Sequence, residues 1–278
     1  MLWADSVIVL LHACTDRSED IVNEISAENP GRIHIIVEPD PVWREMSHRQ
    51  RLLDEARKHG ATHLGCVDAD EVISGNLLAK IREQISCLPP GAKLQMRRPN
   101  LWDSINQYAI DAPSKQGRFF ANWANEQMTV AVADHPALTW KAQNGYDHHQ
   151  RDPQGSRPGA FMQELGLMHL QFANRRRLIE KHRSYQIEEK LRWGHQKSDA
   201  EIKALYSLAI RPQYARLAPV PASWWEPYRD ILHYLDLEAE PWQTRENVRA
   251  IAQHGREKFA GLDLFEDLLT EWPEEVLV

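Results

Sequence analysis

Ser6 to Leu11 (SVIVLL) is an unbroken apolar, β-branched run, the pattern of a strand covered on both faces. The polar turn Cys14 to Asp20 follows, and Ser18 with Glu19 and Asp20 behind it marks a helix N-cap region. That helix is expected to run to Ala27 and to stop before Pro30-Gly31. Ile33 to Val37 predicts a second strand, closed by Glu38-Pro39-Asp40-Pro41. A helix from Val42 to His59 carries Met46, Leu52, Leu53 and Ala56, and Gly60 suits the position just past its end. His63 to Val67 (HLGCV) predicts a third strand, broken at Asp68. Leu77 to Cys87 predicts the next helix, ended by Pro89-Pro90-Gly91.

Strand, helix, strand, helix, strand with short joints predicts an α/β fold with parallel pairing through right-handed crossovers. In open α/β sheets ligands lie beyond the carboxyl ends of the strands. The polar turns after Leu11 and after Val67 both fall at that edge.

Farther along, Lys93 to Arg98 and Gln127 to Ala133 read as strands, with Trp102 to Trp123 a variable connection between them. Ala142 to Ala160, rich in Gly, Pro and charge, is expected to be a long mobile loop. From Arg175 to Lys197 the chain is strongly charged, with Leu178, Ile179, Tyr185, Ile187 and Leu191 at helical spacing. Further helices are expected at Ser198 to Leu208, Trp224 to Leu237, Thr244 to Phe259 and Leu264 to Trp272. The C-terminal third is therefore predicted to be mostly helical, and no internal repeat is present.

The 278 residues suit one large domain or one domain with an appendage, and ten Trp supply core area that the 42% apolar content alone would leave lean. A net charge of -7 argues against a general nucleic-acid binder. Cys14, Cys66 and Cys87 are odd in number and widely spaced, which fits buried thiols in a reducing, cytoplasmic setting rather than a disulfide framework. The N-terminus reads as a strand rather than a signal peptide. No apolar run approaches the ~20 residues of a membrane span.

The chemistry concentrates where the third strand ends, in GATHLGCVDADEVIS (Gly60 to Ser74). Asp68 and Asp70, spaced i, i+2, turn toward one point if the backbone bends there, and Glu71 adds a third carboxylate. Such oxygen donors suit hard cations, Mg²⁺ or Mn²⁺, which bridge a diphosphate and neutralise charge on a departing nucleoside diphosphate. The bland alternative is a polar helix start, since acids favour helix N-termini.

With these residues in place, the sequence resembles glycosyltransferase family 2, of GT-A fold. The resemblance lies in WADSVIVLLHACTDRSEDIV (Trp3 to Val22), RQRLLDEARKHGATHLGCVDADEVIS (Arg49 to Ser74), GLMHLQF (Gly166 to Phe172) and the basic helix after it, and spans Trp3 to Tyr185. It implies a Rossmann-like, mostly parallel sheet flanked by helices over residues 1–174, while the mostly helical extension over residues 175–278 is read from the residue pattern, its tail lying outside the resemblance. It implies Asp68 near the ribose and metal, Asp70 as principal metal ligand, and His169 as a third ligand or diphosphate contact. Asp16 would lie near the nucleotide base and Arg49 toward the diphosphate, where a guanidinium binds in bidentate fashion. Two departures stand out. The chain opens on what resembles the family's second strand, and Leu11 and His12 stand where many members carry acidic residues.

The resulting expectation is a metal-dependent glycosyltransferase that moves a sugar from a UDP- or GDP-linked donor to a glycan, lipid-linked or small-molecule acceptor hydroxyl. Inversion is what the resemblance implies. Asp134, in Asp134-His135-Pro136, and Glu126 are the candidates for the general base such a reaction needs. A strand-end turn is the alternative reading of Asp134, and a satisfied core residue that of His169. His148 and His149 read as solvated loop residues. Arg175-Arg176-Arg177 offers contact with phosphate or a peripheral membrane surface, against the default of a solvated helix face. Trp224, Trp225 and Trp242 read as helix packing. Two rivals remain: a GT-A-like nucleotide or sugar binder without transfer activity, and a metal-dependent phosphohydrolase or nucleotidyltransferase.

Overall fold

A computed structural model describes residues 2–111, 127–142, 151–206 and 216–264 of the chain. In order, the elements are β1 (Val7–His12), α1 (Ser18–Glu28), β2 (Ile33–Glu38), α2 (Glu45–Lys58), β3 (His63–Gly65), β4 (Glu71–Ile73), α3 (Leu78–Ser86) and β5 (Ala92–Arg97). There follow β6 (Gln107–Asp111), β7 (Gln127–Ala133), β8 (Arg157–Leu165), β9 (Leu167–His169), α4 (Arg175–Trp193), α5 (Asp199–Tyr206), β10 (Arg216–Pro219), α6 (Ala222–Trp225) and α7 (Trp242–His254). This is an α/β protein with mixed sheets. It divides into two compact units. The first comprises Met1–Ala69, Ile73–Arg97 and Gln127–Leu167, the second Asp70–Val72, Arg98–Glu126 and Met168–Val278.

In the first unit β1 and β2 pair in parallel, Val7 opposite Ile33 through His12 opposite Glu38, as a strand–helix–strand repeat requires. Their side chains are mostly half-buried rather than covered on both faces, and Val37 is 53% exposed. The four-stranded sheet runs β3-β7-β5-β8 and departs from the mostly parallel expectation. β3 and β5 both pair antiparallel to β7, while β5 and β8 pair in parallel. β5 alternates cleanly: Ala92, Leu94 and Met96 are buried and Lys93, Gln95 and Arg97 are not. They join Leu77, Ile81 and Ile85 from the α3 segment in the main core. Burial of each such Leu, Ile or Met contributes about 1.5–3 kcal/mol. Met46 and Leu53 of α2 form a second cluster with Val132, Leu138 and Trp140.

The expected loop from Ala142 to Ala160 is corrected at its end, because β8 begins at Arg157. Pro158 is tolerated since β8 is the outer strand of this sheet. At Gly159 a Cβ would stand 2.6 Å from the Lys93 carbonyl oxygen, so the two backbones pair only because no side chain intervenes. α2 ends as expected, with Gly60 at φ +73 just beyond it. Strand β4 and a 3-10 turn over Gly75–Leu77 follow the acidic segment, and α3 then runs where the helix over Leu77 to Cys87 was expected.

In the second unit α4, α5 and α7 surround Ile187, Ile202, Ile251, Phe259, Leu262 and Leu264. Buried Glu180 and Arg183 pair at 2.5 Å, and the Asn247 amide donates to Glu180 Oε2 at 3.0 Å. The C-terminal third is not purely helical, for β10 pairs antiparallel with β6. The helix expected over Trp224 to Leu237 is one α turn followed by a 3-10 segment over Glu226–Tyr234, where Pro227 removes a backbone donor. The helix expected at Leu264 to Trp272 lies outside the described residues apart from its first position. Among the described residues no helix is long and apolar enough to cross a membrane.

Candidate functional site

The acidic segment divides between the units, and each carboxylate has its own partners. In the first unit, Asp68 follows the carboxyl end of β3. Its Oδ1 accepts from Arg49 Nη2 at 3.2 Å and its Oδ2 from Arg151 Nη1 at 3.2 Å. Arg151 is itself buried, and donates to the Thr129 carbonyl at 2.6 Å and the Cys66 carbonyl at 2.5 Å. Arg49 also pairs with Glu45 at 2.9 Å, one helical turn before it on α2. Burial disfavours the Arg49 cation, but the Asp68 and Glu45 carboxylates outweigh that cost and raise its pKa. Asp68 keeps 43% of its side chain exposed, so a clamped carboxylate still faces solvent. Burial pushes the neighbouring Cys66 thiol up, which leaves it an inert packing residue.

In the second unit, Asp70 meets His169 and Lys181. Main-chain bonds fix the histidine: its N–H donates to the Pro99 carbonyl and its own carbonyl accepts from Leu101, both at 3.0 Å. The Leu170 N–H donates to the Asp70 carbonyl at 2.8 Å. The His169 ring is buried, with Nδ1 2.7 Å from Asn100 Oδ1 and Nε2 3.5 Å from Asp70 Oδ2. With the amide oxygen facing Nδ1, that nitrogen carries a proton, and Nε2 is the atom turned toward Asp70. Lys181 of α4 donates to the same Asp70 Oδ2 at 3.1 Å and to Gln171 Oε1 at 3.1 Å. Burial works against the charged Asp70, but the His169 ring and the Lys181 ammonium outweigh it and hold the carboxyl well below its ordinary range.

Glu71, the third acid of the segment, is turned inward and paired with Arg98 at 3.4 Å, a structural role. Among the described residues no group of three or more His, Cys, Asp or Glu side chains is placed to hold a metal ion. Asp70 and His169 supply two donors only. Their chemistry nevertheless fits a hard divalent cation that keeps water and phosphate oxygens as its remaining ligands. The Asn100 contact is the kind of outer partner that orients a ligating imidazole.

The remaining candidates lie elsewhere. Asp16 is exposed in the turn before α1, and its Oδ1 accepts from the Ser18 N–H at 2.9 Å. That bond fixes the turn ahead of α1, whose N-cap position is Arg17 rather than Ser18. Asp134, the candidate general base, is not brought beside Asp68. The Asp134 N–H bonds the Thr62 carbonyl just before β3, whereas Asp68 follows the other end of that strand. The strand rise separates them by on the order of 15–20 Å. Its carboxylate is also gripped by Arg57 at 2.8, 3.0 and 3.2 Å. The Arg57 hydrogen bonds lower its pKa, which makes it a poor proton acceptor. Glu126, His148 and His149 lie outside the described residues. Trp224 and Trp225 are buried as packing residues, and the Trp225 indole donates to the Ile105 carbonyl at 2.9 Å. Trp242 is 60% exposed.

Three partners were missed in the sequence: Arg151, Asn100 and Lys181. Arg151 sits in a stretch whose Gly, Pro and charge content reads as solvated loop. Lys181 carried a signal, since it falls between Leu178 and Tyr185 at i+3 and i−4 on α4 and so shares their face. A comparison with known protein families finds none that matches this chain, and a comparison with curated proteins finds no matching relative.

Proposed function

We propose that this protein is a metal-dependent glycosyltransferase of GT-A type, transferring a sugar from a UDP- or GDP-linked donor to an acceptor hydroxyl. One observation carries the reading: a buried, backbone-pinned His169, oriented by Asn100, aims Nε2 at the Asp70 carboxylate. An imidazole nitrogen and a carboxylate facing one another in this way can hold a cation between them once the nitrogen gives up its proton. Mg²⁺ or Mn²⁺ bound there would neutralise charge developing on a leaving diphosphate. The protein's own part is to hold Asp70 ionised and His169 in one tautomer. The base that takes the acceptor proton is left unassigned, Asp134 being tied to Arg57.

The test is titration calorimetry of MnCl₂ with UDP and with GDP on the wild type and Asp70→Ala. Metal-dependent nucleotide binding lost in the variant supports the reading, whereas binding that persists in Asp70→Ala removes Asp70 as a ligand. Turnover of nucleotide-sugars with and without acceptors then separates a transferase from the alternatives. A phosphohydrolase runs at full rate without an acceptor, and a nucleotide-binding protein does not turn over at all.

A further inference from the structure

We propose that Lys181 is a built-in counter-charge on Asp70, one that gives way to metal and then passes to the diphosphate, making metal and nucleotide binding mutually dependent. This rests on the metal reading of Asp70 and His169.

Asp70 Oδ2 is the oxygen nearest His169 Nε2, at 3.5 Å, and the same oxygen accepts from Lys181 Nζ at 3.1 Å. A divalent ion entering between carboxylate and imidazole meets the ammonium on the very atom it must ligate. Like charges a few ångströms apart repel strongly in a site only partly open to water. Ligation of Asp70 Oδ2 therefore requires the ammonium to leave it. The lysine has somewhere to go. Its side chain is 27% exposed, on a flexible four-carbon stem. Gln171 Oε1 at 3.1 Å and the Tyr185 ring, 5.9 Å from Nζ, keep it beside the site once Asp70 is given up. A diphosphate bridged to the metal offers the released ammonium a stronger acceptor than Gln171, because both partners are charged. Metal alone thus displaces a cation without compensation, whereas metal with diphosphate supplies a new anion for it. The two ligands bind cooperatively, and by linkage each strengthens the other to the same degree.

The experiment follows Mn²⁺ binding by electron paramagnetic resonance and calorimetry, with and without UDP, in the wild type, Lys181→Met and Lys181→Arg. Far-UV circular dichroism and thermal melting check that each variant is folded, and Lys181→Gln is titrated in the same way if Lys181→Met is not. UDP is expected to tighten Mn²⁺ binding in the wild type. Lys181→Met is expected to bind Mn²⁺ alone about tenfold more tightly, and to lose about tenfold of that UDP-induced gain. Lys181→Arg, which keeps the charge, is expected to retain the coupling. Equal Mn²⁺ affinity and equal coupling in wild type and Lys181→Met overturn the role of Lys181 and leave the metal reading intact. An absence of Mn²⁺ binding in every protein overturns the metal reading itself.

Discussion

His169 and Asp70 face each other across 3.5 Å, with the far side of the imidazole held 2.7 Å from the Asn100 amide oxygen. The relationship places one ring nitrogen under the control of Asn100 and leaves the other for whatever lies between it and the carboxylate. The first prediction follows from it. Asn100→Ala frees the His169 tautomer and is expected to weaken Mn²⁺ binding about 10- to 100-fold, as loss of outer-shell partners does elsewhere. Calorimetric titration checks this, and an unchanged affinity would remove Asn100 as the orienting residue.

Arg151 joins three acceptors, the Asp68 carboxylate and the carbonyls of Thr129 and Cys66, from a buried position. Arg151→Met keeps the stem but removes every donor. It is expected to destabilise the protein by about 2–4 kcal/mol, since charged hydrogen bonds to buried acceptors are lost together. Urea unfolding measures it; a loss below about 0.5 kcal/mol, the scale of neutral surface changes, is incompatible with the clamp.

His182 of α4 is buried, with Nδ1 2.8 Å from the Tyr206 carbonyl oxygen, and burial holds its pKa down at about 4 against an ordinary 6.5. The folded ring is neutral where the unfolded ring takes up a proton. Stability is therefore complete above pH 6.5 and falls as the pH drops from 6.5 toward 4. The loss amounts to about 3 kcal/mol if the whole shift is expressed. His182→Gln is expected to flatten that stretch of the stability profile, read from urea midpoints at pH 7.5 and 4.5. An identical slope in the variant would assign the acid sensitivity to other groups.

Asp70 and Asp134 titrate below the ordinary 3.8 in the folded chain, Asp70 through His169 and Lys181 overcoming the cost of burial, Asp134 through Arg57. Folding thus binds fewer protons, so their stabilisation is present above pH 3.8 and disappears as the pH falls through the lower folded values. Asp134→Asn should reduce stability at pH 7 by about 1 kcal/mol, the pair being partly solvated, and lessen the loss below pH 4. Under the proposed function, sugar transfer by the folded variant is expected to remain near the wild-type rate. A fall of a hundredfold or more would return Asp134 to the chemistry.

The early alternation of elements was legible because β1, α1, β2, α2 and β3 are short-range patterns: apolar runs, a turn and a glycine stop. Nothing local announces which strand lies beside which. β7 stands between β3 and β5 and runs against both. β8 was hidden by Pro158 and Gly159, whose usual meaning as loop residues is reversed on an outer strand that closely approaches a neighbour. The β6–β10 pair joins segments that the sequence read as a variable connection and a helical tail.

For the candidate site the division is similar. The sequence by itself determined which carboxylates stand near the end of an apolar strand, and that a histidine in GLMHLQF accompanies them, because strand ends and donor types are written in adjacent residues. Only the tertiary structure decided that Asp68 answers to Arg49 and Arg151, that Asp70 answers to His169 and Lys181, and that Glu71 is turned inward to Arg98. The reason is physical. The donor type of a carboxylate belongs to its own residue. Its charge state and the geometry of its partners come from groups that approach from far along the chain, and folding alone sets those distances.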